Sequence, residues 1–123
     1  MYYLTVRDEF SAAHSIEEYP GECERLHGHN WQVEATVRAE QLNELGLAID
    51  FRKLKQALKT ILDRLDHYYL NEIEPFNTLN PTSENLARFI FEEFRKQIAV
   101  EGIEAESVAV WENDRSAAKY REA

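Results

Sequence analysis

Two stretches of this chain alternate apolar and polar residues with a period of two, and histidines sit at the ends where they would meet. In residues 2–14, Tyr2, Leu4, Val6, Phe10, Ala12 and His14 share one parity, and Thr5, Arg7, Glu9 and Ser11 share the other. In residues 27–40, His27, His29, Trp31, Val33, Ala35, Val37 and Ala39 alternate with Gln32, Glu34, Thr36, Arg38 and Glu40. Successive side chains of a strand point to opposite faces, so each stretch reads as a strand with one buried face, the first with a bulge or bend near Asp8. If the two pair as a hairpin, the imidazoles of His14, His27 and His29 share one buried face at the same end of the sheet.

The pattern changes after residue 50. Asp50 is placed to cap a helix whose apolar residues, Phe51, Leu54, Leu58, Ile61, Leu62 and Leu65, recur at helical spacing. Residues 66–81 read as a connection rich in Asn, Pro and Thr. Thr82 or Ser83 can cap a second helix, with Glu84 in its first turn, a stripe of Leu86, Phe89, Ile90, Phe94 and Ile98, and Gly102 as a stop. Val108, Val110 and Glu112 alternate with Ala109 and Trp111 in a third strand. Asn113-Asp114-Arg115 is a turn, and residues 117–121 form a short fourth strand. The order is β-β-α-α-β-β, a single α+β domain over residues 1–123.

Bulk properties narrow the function. The chain has 123 residues, enough to bury roughly 65% of its unfolded surface without covalent staples. It holds one cysteine, so an intrachain disulfide is impossible and a reducing cytoplasm is expected. The N-terminal sequence has neither a basic n-region nor a long apolar run, so neither a leader nor a membrane span is expected. A net charge of −9 disfavours nucleic acid and anionic membranes as partners. A small phosphorylated substrate remains compatible, because a local basic cluster acts over a Debye length of ~8–10 Å.

Three imidazoles packed on a buried face need a common partner. A zinc ion supplies one, and three protein ligands with a fourth position open is the arrangement of catalytic zinc. Gly28, between two of the histidines, would allow close approach of backbone or ligand. Cys23, four residues before His27, leaves two readings: a fourth ligand closing a structural site, or a thiol of lowered pKa acting as base or nucleophile beside the metal. Asp66-His67 can act as an orienting pair, although adjacent side chains seldom face each other. Glu112 continues the inward parity of Val108 and Val110. Either the carboxylate points inward to meet a guanidine-like ligand edge, or the strand ends before it and the side chain escapes to solvent.

The residues Phe10-Ser11-Ala12-Ala13-His14, Cys23-Glu24-Arg25-Leu26-His27-Gly28-His29, Leu65-Asp66-His67, Asn80-Pro81-Thr82-Ser83-Glu84 and Glu112 resemble the 6-pyruvoyltetrahydropterin synthase family, over essentially the whole chain. The resemblance is greatest to its bacterial 6-carboxy-5,6,7,8-tetrahydropterin branch, which serves queuosine biosynthesis. It implies the tunnelling fold, a four-stranded antiparallel sheet with two helices on one face, assembled as trimers stacked into a homohexamer with active sites between subunits. It implies one zinc per subunit on His14, His27 and His29, with Cys23 as general base and Asp66 and His67 of a neighbouring subunit assisting proton transfer. Glu112 would anchor the pterin ring, with Thr82 and Ser83 nearby. The implied substrate is 7,8-dihydroneopterin triphosphate. In the carboxy branch it yields 6-carboxytetrahydropterin, acetaldehyde and triphosphate, whereas the pyruvoyl branch eliminates triphosphate. A non-catalytic pterin- or zinc-binding protein is the remaining alternative. A family branch of folate-linked activity carries Glu in place of the cysteine, and position 23 here is Cys. Arg25, Lys119 and Arg121 are candidates to meet the triphosphate.

Overall fold

A computed structural model describes residues 1–16 and 25–122. Strand β1 (Tyr2–His14) and strand β2 (His27–Ala39) are followed by helix α1 (Phe51–Leu62), helix α2 (Ser83–Gln97), strand β3 (Glu104–Asn113) and strand β4 (Ser116–Tyr120). The strands form one antiparallel sheet in the order β1-β2-β3-β4. This is the expected β-β-α-α-β-β architecture. Among the described residues, no helix is long and apolar enough to cross a membrane.

The alternation in β1 and β2 fixes their register. They pair without interruption from Tyr2↔Ala39 to His14↔His27. No bulge forms at Asp8, which pairs with Val33. The irregularities lie instead between Thr36 and Val37 on the β2–β3 side and between Trp111 and Asn113 on the β3–β4 side. The irregularities thus fall on the inner and short strands, and the long β1–β2 ribbon keeps its full ladder.

One face of the sheet carries the helices, α1 against β1 and α2 against β3 and β4. Val6, Phe10, Trp31, Val33, Ala35, Val37, Val108 and Val110 meet Leu54, Leu58, Ile61 and Leu62 of α1 and Leu86, Ile90, Phe91 and Phe94 of α2. Asp50 caps α1 by accepting from the Arg52 N–H, and its carboxyl is held at about 2 by the Arg52 side chain and that backbone bond. Thr82, not Ser83, caps α2, accepting from the Asn85 N–H at 3.1 Å. Helix α1 stops at Leu62, short of the expected Leu65. Leu65 is still fully buried, delivered by the turn that follows.

Strand β3 begins at Glu104, earlier than the alternation suggests, because Glu104, Glu106 and Ser107 break the apolar pattern. Glu106 is almost enclosed, its charge met by Arg38 at 3.2 Å and Arg121 at 3.0 Å. Strand β4 starts and ends one residue earlier than expected, after a turn in which Asn113 Oδ1 accepts the Arg115 N–H.

The face without helices is a cross-strand polar ladder. Thr5 and Thr36 hydroxyls meet at 2.7 Å, Gln32 donates to Glu9 at 2.6 Å, Ser11 to Asn30 at 2.7 Å, and Arg7 pairs with Glu34 at 3.2 Å. The connection from α1 to α2 runs along the outer edge of β1. The Ser11 N–H donates to Asp66 Oδ1 at 2.8 Å, the His67 N–H to the Ser11 carbonyl at 2.6 Å, and the Ala13 N–H to the Tyr68 carbonyl at 3.2 Å. Further on, a 3-10 turn (Leu70–Glu72) buries Leu70.

Two outcomes follow from this packing. Leu58 is fully buried between helix and sheet, so Leu58→Ala should destabilise the fold by about 2–5 kcal/mol, read as a lowered urea midpoint. The Ser11 N–H, helped by His67, holds the Asp66 carboxyl below its ordinary value. A lowered carboxyl contributes stability that is present above its unfolded value of about 3.9 and is lost as pH falls through the folded value. Asp66→Asn keeps an acceptor for Ser11 but no titrating group, so its stability should fall less steeply with acid than that of the wild type. Asp66→Ala should lose stability at neutral pH as well. Parallel acid slopes for wild type and Asp66→Asn would remove this account.

Candidate metal centre

His14 ends β1 and His27 begins β2, and the register places them directly opposite each other, with His29 opposite Ala12. The alternation that buries Trp31 and Val33 therefore brings all three imidazoles to the helix-covered face at one end of the sheet. Glu112, near the end of β3, joins them, with Oε1 3.4 Å from His14 Nε2 and 3.3 Å from His29 Nε2. One donor atom from each of the four residues lies within 4.8 Å of the other three. Glu112 thus points inward and does not escape to solvent, although its side chain stays 33% exposed.

Trp31 is the floor of the cluster. Its ring lies edge-on to His14 at 4.8 Å and to His29 at 5.1 Å, and its indole N–H donates to the Ala12 carbonyl at 3.3 Å. The sequence placed Trp31 in the core but gave no sign that it would abut the histidines, beyond its being two positions past His29. Gly28 is not required by packing within the chain: a Cβ there would meet the Ala12 carbonyl oxygen at an ordinary 3.9 Å.

The hydrogen bonds assign the tautomers. His14 Nδ1 lies 2.7 Å from the Pro81 carbonyl, and His27 Nδ1 lies 2.7 Å from the Arg25 carbonyl. A carbonyl only accepts, so both Nδ1 atoms carry the proton and, in the neutral rings, both Nε2 atoms present a lone pair. Yet these two Nε2 atoms are 3.0 Å apart. His29 Nε2 is buried and has no hydrogen-bond partner among the described residues. Two facing lone pairs beside an orphaned third nitrogen repel unless a cation lies among them.

A shared proton is disfavoured. Burial pushes His14 below its ordinary value, with His27 and His29 adding to the effect, while the Pro81 bond and Glu112 oppose it. Burial also lowers His29, against the pull of Glu112. Imidazoles that present Nε2 atoms to one another fit a divalent transition metal, zinc among them, and carbonyl contacts of this kind at Nδ1 orient metal-binding histidines.

The other expected residues are spread around this seat. Cys23 lies outside the described residues. Asp66 and His67 do face each other, His67 Nδ1 at 3.0 Å from Asp66 Oδ2. Adjacent side chains manage this because His67 takes the left-handed conformation, φ 65°. The pair sits at the outer edge of β1 with an exposed imidazole, and among the described residues no hydrogen bond or ion pair joins it to the cluster of its own chain. Thr82 and Ser83 follow Pro81 directly, and the Thr82 hydroxyl oxygen is engaged as the α2 cap. Arg121 pairs with Glu106, and Arg25 is exposed beside His27.

Comparison with known proteins identifies the family. Residues 3–123 match the family described as 6-pyruvoyl tetrahydropterin synthase. The chain is 36% identical to a 6-carboxy-5,6,7,8-tetrahydropterin synthase from Synechocystis, over 98% of this chain and 93% of that one. It is 35% identical to a dihydroneopterin monophosphate aldolase from Pyrococcus furiosus, over 90% of each. The solved structure of the Caenorhabditis elegans 6-pyruvoyl tetrahydropterin synthase superposes with a TM-score of 0.89 at 28% identity, covering 99% of this chain and 96% of that one. The chain belongs to the 6-pyruvoyl tetrahydropterin synthase family of enzymes.

Proposed function

We propose that the protein is a zinc-dependent lyase that converts 7,8-dihydroneopterin triphosphate and water to 6-carboxy-5,6,7,8-tetrahydropterin, acetaldehyde and triphosphate, a step toward queuosine. The observation that carries the reading is the set of three Nε2 atoms, two facing at 3.0 Å and one orphaned, which calls for a cation. The choice of product rests on the relatives from Synechocystis and Aquifex aeolicus, which bear the carboxy-synthase name; the cysteine at position 23 separates the chain only from the branch that carries Glu there.

His14, His27 and His29 hold the zinc. When bound, the metal supplies Lewis acidity toward the side-chain oxygens of the substrate. The chain's own residues do the rest. Cys23 removes a proton from the substrate side chain as general base. Asp66 orients His67 through the Oδ2–Nδ1 contact, and the exposed His67 imidazole, presented to a neighbouring subunit, passes protons there. The Glu112 carboxylate accepts two N–H groups from the pterin's guanidine-like edge, a charge-assisted bidentate contact, beside Thr82 and Ser83. Assembly as a homohexamer brings these parts together in the cytoplasm. Among the described residues, the outer edge of β4, the first half of the β1 edge ahead of the bonds to Ser11 and Ala13, and a polar helix-free face support that assembly.

The metal-quantified protein, incubated with 7,8-dihydroneopterin triphosphate, should release acetaldehyde and triphosphate in equal amounts with 6-carboxytetrahydropterin. Triphosphate without acetaldehyde would make it a pyruvoyl-type synthase, and no turnover would make it a binding protein. Cys23→Ser should keep its zinc and lose roughly 10²-fold or more in kcat. Loss of zinc in that variant would instead identify Cys23 as a fourth ligand. Glu112→Gln should keep zinc and raise KM by about 10–100-fold, the cost of one charged hydrogen-bond partner. A zinc-free Glu112→Gln protein would place Glu112 among the ligands.

A further inference from the structure

The Nδ1 acceptor of His27 is local, two residues away, but that of His14 comes from 67 residues on. The Pro81 carbonyl can serve His14 only if the segment before α2 is held in one conformation. Both flanks of that carbonyl are pinned. The Asn80 carbonyl accepts the Thr82 N–H at 2.9 Å and the Asn85 side-chain amide at 2.9 Å. On the other side, the Thr82 hydroxyl accepts the Asn85 N–H at 3.1 Å, and the Thr82 carbonyl accepts the Leu86 N–H at 2.9 Å. Asn85 makes two of these four bonds, one from its backbone and one from its side chain.

We propose that Asn85 is a positioning residue for the metal centre. Its carboxamide clasps the Asn80 carbonyl, this fixes the Pro81–Thr82 peptide, and the Pro81 carbonyl then keeps the His14 proton on Nδ1 and Nε2 free to ligate. Asn85 touches neither metal nor substrate. It acts through the Pro81 carbonyl, as partners of ligating histidines do elsewhere by fixing tautomer and ring orientation. The inference rests on the reading that His14, His27 and His29 hold a metal ion.

Asn85→Asp is the sharpest test, because it removes the side-chain donor while leaving the backbone bond to Thr82. A carboxylate in the first turn of α2 is also favourable to the helix. Zinc affinity of metal-stripped protein, measured by chelator competition, should weaken by about 10–100-fold in Asn85→Asp and Asn85→Ala. Ile90→Val, a core change in the same helix that touches none of these bonds, should bind zinc as the wild type does even where its stability falls as far. The ¹⁵N shifts of the His14 ring should report one tautomer, protonated at Nδ1, in stripped wild type and a mixture in Asn85→Asp.

Wild-type protein that binds no zinc would overturn the metal reading and this inference together. Zinc binding in the wild type, unchanged within about twofold in both Asn85 variants, would overturn this inference alone. If both variants fail to fold, Asn85 holds the fold and not the ligand, and the inference is equally overturned.

Discussion

The pairing of His14 with His27 across β1 and β2 is the constraint on which the rest depends. Because side chains alternate along a strand, a slip of one residue between them would put the inward set of one strand, Val6 and Phe10 of β1 or Trp31, Val33 and Val37 of β2, on the face opposite the other's. The same slip would separate His14 from His27 and His29, leaving them on opposite faces. Core and metal seat are thus specified by one register. The long uninterrupted ladder of β1 and β2 fixes it, and the bulges sit on the other side of β2, where they do not disturb it.

That coupling explains how an electrostatically awkward cluster persists. Three imidazoles and a carboxylate meet beside a fully buried tryptophan, where burial lowers the proton affinity of His14 and His29. Hydrophobic packing of the strands and helices holds the groups in place, and the carbonyls of Pro81 and Arg25 set two of the rings. The cluster does not stabilise itself. It is held by the scaffold, the arrangement expected of a binding or catalytic centre.

Much of this was legible in the sequence because it depends on periodicity. The two-residue alternation placed both long strands within a residue of their ends and set His14, His27 and His29 on one face. Asp50 and Thr82 marked the helix starts through their short oxygen-bearing side chains. What periodicity could not carry was read less well. Glu104, Glu106 and Ser107 hid the first half of β3, because Glu104 is exposed and the near-burial of Glu106 depends on partners outside the strand such as Arg38. The Asp66–His67 contact required a positive φ that no local pattern announces. The Pro81 carbonyl is a backbone group brought to His14 by tertiary packing alone. The inward aim of Glu112, left open by the alternation, was settled by its approach to His14 and His29.

The scaffold does not by itself choose the reaction. Relatives of nearly equal identity to this chain bear the names of a carboxy synthase, a pyruvoyl synthase and an aldolase. One family scaffold thus carries proteins of three names. Selection among them must come from groups that meet the substrate side chain and its phosphates, since these decide which bond is broken once a proton has left. On the proposed function those groups lie on or beside connections: Cys23 between His14 and His27 in sequence, Asp66 and His67 after α1, Thr82 at the cap of α2 and Ser83 at its first position. On that reading, strands position the candidate metal ligands and loops carry the variable chemistry, the division expected where one fold hosts several activities.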